Sequence, residues 1–134
     1  MDDYIPKVNR DDVLRIIRRE FQPNNQDLVL EILGGYGSEE WQRRGGMDRV
    51  LLAILKLSRG DVNRLQELVK TACNDYRDVL APAEYPRFWA LGLVATKTMS
   101  CEEKKRLIED DWKQYQEWLN SEKRFGRDGT DEKL

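Results

Sequence analysis

The stretch Val62–Leu80, VNRLQELVKTACNDYRDVL, decides the fold class. Stepping about 100° per residue from Leu65 gathers Val62, Leu65, Leu68, Val69, Ala72, Tyr76, Val79 and Leu80 into one stripe. The opposite side carries Asn63, Arg64, Gln66, Glu67, Lys70, Thr71, Asn74, Arg77 and Asp78. This pattern predicts a long amphipathic helix over 62–80. An isolated helix of that length is marginal in water, so its stripe needs a partner surface, most simply the rest of the chain.

The nearest partner lies just upstream. Val50-Leu51-Leu52-Ala53-Ile54-Leu55 is apolar on every side of a helical wheel, which predicts a central, fully covered helix over about 47–58. A buried strand is the competing reading, but one Val and one Ile among Leu, Ala and Met argue for helix. Gly60 closes this segment and Asp61 caps the next.

Further helices follow from their caps. Asn9 with Asp11 and Asp12 behind it starts a first helix whose inner face is Val13, Ile16, Ile17 and Phe21; Gln22-Pro23 ends it. Asn24 or Asn25 is placed to cap a second helix, which stops at Gly34-Gly35. Gly37 or Ser38 opens a third segment toward Leu57, with a bend or break expected at Gly45-Gly46. Pro82 and Pro86 rule out straight continuation after Leu80, and Pro86 suits the first turn of a short helix from Arg87 to about Gly92. Ser100 and Glu103 form a capping box for a last helix ending near Ser121. The expected fold is all-α: a single domain over 1–122 of five to six helices in an irregular or orthogonal bundle, with a mobile tail over 123–134.

Composition narrows the chemistry. The 134 residues contain no His, which removes Ser-His-Asp and Cys-His catalysis and imidazole metal sites. Cys73 and Cys101 form no CxxC motif and cannot supply a four-ligand zinc site; two reduced, half-buried thiols are expected. The net charge is −2 with both signs interspersed, so neither half is a nucleic-acid arm. The acidic N-terminus has no apolar signal region and no run approaches a membrane span, giving an expected cytoplasmic, soluble protein. No cofactor is expected.

Three groups of residues are candidates for a role. Tyr85, Arg87, Phe88 and Trp89, with Arg77 before them, concentrate the residue types that dominate protein interfaces around a proline turn. The bland alternative is that Tyr85, Phe88 and Trp89 plug the end of the bundle while Arg87 pairs with Glu84. Asp111 falls on the apolar side of the last helix beside Trp112, Tyr115 and Trp118. A carboxylate there must be paired, hydrogen-bonded or raised in pKa, so it is either a pocket acid or a structural one. Arg15, Arg18 and Arg19, with Arg43-Arg44, form a basic face that reads as solvated and ion-paired rather than as a phosphate binder. Trp41 is either a staple onto the core or an exposed contact. The expected function is a non-catalytic helical interaction module whose partner is another protein or a second copy, as in a homodimer. A small nucleic-acid-binding or regulatory protein using the helix-one arginines, and a small-ligand site around Asp111, are the alternatives.

Overall fold

The computed structural model describes residues 5–43 and 46–121. Within them the chain forms eight helices and no strand: α1 (Arg10–Glu20), α2 (Pro23–Leu33), α3 (Glu40–Arg43), α4 (Met47–Ser58), α5 (Val62–Asn74), α6 (Arg77–Glu84), α7 (Pro86–Lys97) and α8 (Cys101–Asn120). The all-α expectation holds, and the count rises above five to six because two of the expected helices are divided. The tail over 123–134, like Gly45, lies outside the described residues.

The first division falls inside the stretch that reads as one stripe. Asn74 ends α5, and Asp75 is extended at φ −158° and ψ 108°. The Asp75 carboxylate accepts from the Arg77 backbone N–H at 3.0 Å and from its guanidinium at 3.0 and 2.9 Å, while Asp78 N–H donates to Asp75 O. A short acidic side chain that bonds the backbone two residues on starts a new helix in preference to continuing the old one. Periodicity survives the break, so Leu65, Val69, Ala72 and Val79 are still buried, whereas Tyr76 at the corner is 39 % exposed. The second division separates α3 from α4, where Gly46 adopts φ 97°, a left-handed backbone that favours glycine.

Proline placement corrects two further boundaries. Pro23 opens α2 as its first residue after Gln22, so neither Asn24 nor Asn25 caps it. Pro82 sits inside α6, which continues to Glu84; the chain turns instead at Tyr85, φ −128° and ψ 55°, before Pro86 begins α7. α7 runs past Gly92 to Lys97, with a kink at Gly92, φ 79° and ψ 169°. Neither Gly37 nor Ser38 caps α3, which begins at Glu40 with Gln42 and Arg43 N–H donating to Glu39 O, but the caps at Asn9, Asp61 and Ser100 are in place. Asn9 and Asp12 form a reciprocal box, Asp61 accepts from the N–H groups of Asn63 and Arg64, and Ser100 from that of Glu103.

The centre is α4. Every residue from Val50 to Leu55 is buried, and the helix packs on α1, α5 and α6 at once. A helix covered on all sides can be apolar all round, as this one is. At its start Arg49 faces α6 and makes a two-pronged ion pair with Glu84, Nε to Oε2 at 2.7 Å and Nη2 to Oε1 at 2.6 Å. Glu84 is buried, and the shared hydrogen bonds hold the Arg49 guanidinium above its ordinary range. Glu84 therefore pairs with Arg49 and not with Arg87, contrary to the pairing considered from sequence.

A pair of this kind predicts a lopsided mutational response. Arg49→Met leaves a buried carboxylate without its partner and is expected to cost roughly 3–5 kcal/mol in urea denaturation. Arg49→Met combined with Glu84→Met removes the stranded charge and is expected to recover at least half of that loss. A double variant no more stable than Arg49→Met alone would contradict this assignment.

Candidate functional site

The polar group of most consequence is Asp111, which is fully buried on α8. Its Oδ1 accepts from the Arg87 backbone N–H at 3.1 Å and its Oδ2 from that of Phe88 at 3.0 Å. These are the second and third residues of α7, the donors that a helix start leaves open and that a Ser, Thr, Asn or Asp just before the helix ordinarily satisfies. Here the preceding residue is Tyr85, which cannot do so, and Pro86 at the first position has no N–H to satisfy. Asp111 caps α7 from a different helix. Its negative charge also lies at the positive end of the α7 dipole. The carboxylate is thus committed through both oxygens to backbone, a structural use that leaves little of it for a ligand.

Its aromatic neighbours divide. Tyr115 and Trp118 are buried with ring centroids 5.5 Å apart, whereas Trp112 is half-buried. The Tyr115 hydroxyl is buried without a hydrogen bond among the described residues. Burial and then the neighbouring Glu84 carboxylate push this phenol well above its ordinary value. Of the two thiols expected to be half-buried, Cys73 is half-buried and free, whereas Cys101, at the exposed start of α8, is exposed and free.

The turn residues do not form one patch. Tyr85 and Phe88 are half-buried against the bundle, but Trp89 is 57 % exposed and Leu91 is 46 % exposed. Arg87 is exposed and reaches Asp110 of α8 at 3.4 Å. Arg77 lies at the far end of α6, about 12 Å along that helix, paired with Asp75. Tyr76, preceding Arg77 in the chain, lies against Trp41 with ring centroids 6.4 Å apart, and Trp41 also meets the buried Tyr36 edge-on at 6.2 Å. Trp41 is accordingly both staple and exposed contact.

The basic face of α1 is largely taken up by intramolecular bonds. Arg10 pairs with Asp48 at 2.9 Å and Arg15 lies 3.6 Å from Asp12. Arg19 stacks over Trp118, 5.3 Å from its ring centre, pairs with Glu20, and donates to the carbonyls of Trp118 and Ser121 at the end of α8. A cation there complements the negative end of the α8 dipole. Arg43 donates to the Gly37 and Ser38 carbonyls, and Arg44 lies outside the described residues.

A feature that sequence reading passed over is a cleft of about 820 Å³ where the α4–α5 turn meets α6 and the start of α7. Lys56, Arg59, Asp61 and Arg64 line it together with Asn25 of α2 and with Pro82 and Pro86. Lys56 is half-buried, and desolvation, then the neighbouring Arg59, lower its ammonium to about 8, with Asp111 acting weakly the other way. The signal in the sequence was a lysine directly continuing an all-round apolar run.

Comparison with protein-family models, curated proteins and solved structures finds no match, so the functional reading rests on the side chains themselves.

The folded protein gives up the Lys56 proton near pH 8, whereas the unfolded chain holds it to about 10.5. Between those values the unfolded state binds more protons, so this group makes stability rise with pH across the window. Lys56→Met is expected to stabilise the protein at pH 7 by about 1–2 kcal/mol, allowing for the part of the side chain that stays in water. The gain should fade by pH 10.5, and thermal melts at both pH values check it. Equal stability of the two proteins at pH 7 would contradict the burial of charge described.

Proposed function

We propose that the protein is a non-catalytic helical interaction module that binds another protein through the exposed first half of α7, where Trp89 and Leu91 flank the helix. The observation that carries this reading is the exposure of Trp89 and Leu91, two large apolar side chains on one short helix fixed at its start from inside the bundle. Scattered exposed apolar residues are ordinary, but a tryptophan more than half exposed is a residue type enriched at the centre of binding interfaces. Burying such a side chain on a partner contributes about 1.5–3 kcal/mol. A helix whose first turn is already capped presents those side chains with little ordering left to do, which lowers the entropic cost of association.

The other candidates are supported less. Both Asp111 oxygens are engaged by backbone N–H groups, and the α1 arginines other than Arg18 are engaged within the protein. The complete absence of histidine favours binding over acid–base catalysis at neutral pH.

The test compares the wild type with Trp89→Ser combined with Leu91→Ser, by affinity capture from the native host and by sedimentation. The double variant should lose the partner that the wild type holds while keeping the same melting temperature, because neither side chain is in the core. If capture is unchanged and both proteins sediment as monomers, the proposal fails. A concentration-dependent dimer abolished in the variant would instead make the partner a second copy of the chain.

A further inference from the structure

The chain carries a net charge of −2, yet the cleft at the α4–α5 turn is lined by three cations and a single carboxylate. That carboxylate, Asp61, accepts the N–H groups of Asn63 and Arg64 at 2.9 and 3.3 Å as the cap of α5, an oriented use that sets where it points. Arg64 donates through Nε to the Leu57 carbonyl at 2.7 Å, which fixes its guanidinium at the rim. Lys56 and Arg59 make neither an ion pair nor a hydrogen bond among the described residues. Arg59 is also the one non-glycine residue with positive φ among those described, at 52°. Leu57, Val62, Pro82 and Pro86 give the same cleft an apolar wall.

Like charges set side by side cost stability, and Lys56 loses its proton more readily because of burial and of Arg59 beside it, an effect Asp111 opposes only in part. An anion placed among these groups would reverse that cost, and more than one negative charge is needed to balance them. The volume of about 820 Å³ falls in the range of small-molecule sites and exceeds what an inorganic anion fills. We propose that this cleft is a binding site for a phosphate-bearing small molecule, its phosphate among Lys56, Arg59 and Arg64 and its organic body against Pro82 and Pro86. The cleft reaches α7 only at Pro86, and neither Trp89 nor Leu91 lines it, so this proposal does not depend on the reading of α7.

Calorimetric titration of the full chain with magnesium-free ADP, and separately with pyrophosphate, at neutral pH and low salt tests this. The expected result is saturable one-to-one binding of ADP with a dissociation constant below about 1 mM, and weaker binding of pyrophosphate, which lacks an organic body. Lys56→Met and Arg59→Met should each weaken ADP binding about tenfold with an unchanged fold, while Arg18→Met on α1 should leave it unchanged. The proposal is overturned if ADP shows no saturable binding up to about 10 mM, or if the cleft variants bind as the wild type does. An equal effect of Arg18→Met would overturn it as well, because attraction would then be to charge at large. Pyrophosphate binding as tightly as ADP would overturn the role of the apolar wall.

Discussion

The contact on which the outer half of the molecule depends is the pair of hydrogen bonds from the Arg87 and Phe88 backbone to the buried Asp111 carboxylate. An α-helix start has open donors wherever it occurs, and a start buried beside another helix must find acceptors in protein. The sequence before α7, Glu84-Tyr85-Pro86, offers no local cap: Glu84 is held by Arg49, and Tyr85 is the turn itself. Asp111 meets the need from α8, and in doing so fixes the position of α7 on α8. The exposure of Trp89 and Leu91 follows from that placement.

The same device recurs elsewhere in the bundle. Apolar stripes tell helices to pack but leave their rotation and sliding loosely specified, because one aliphatic neighbour serves nearly as well as another. Polar side chains that reach across fix these degrees of freedom. Arg49 with Glu84 joins α4 to α6, Arg19 ties α1 to the end of α8, and the buried Gln42 accepts the N–H groups of Gly37 and Glu39 to hold the loop before α3. Each uses charge or geometry that works in only one arrangement.

This division also explains what could be read from the sequence. Asn9, Asp61 and Ser100 bond to backbone two or three residues away, so their role is visible in a short window. The covered helix α4 announces itself by being apolar on every side. The break at Asp75 is also local, but the angular periodicity of the stripe runs through it undisturbed and conceals it. Asp111 stood out as misplaced on an apolar face, and a hydrogen-bonded structural acid was one of the readings open to it. Its partners lie 23 and 24 residues earlier, and only the tertiary arrangement identifies them as backbone N–H groups rather than an arginine. Arg77 was grouped with Trp89 because the two are near in sequence; α6 separates them in space. The Lys56 cleft exists only where α2, α4, α5, α6 and α7 meet, and no single window contains it.

The central claim, that Asp111 caps α7 from across the helix pair, is tested most directly by amide hydrogen exchange resolved by residue in the wild type and in Asp111→Ala. Two charge-assisted bonds of about 1.5 kcal/mol or more each should make the Arg87 and Phe88 amides slow in the wild type and speed them at least about tenfold in the variant. Arg87 and Phe88 amides that exchange freely in the wild type, or at the same rate in both proteins, would contradict it.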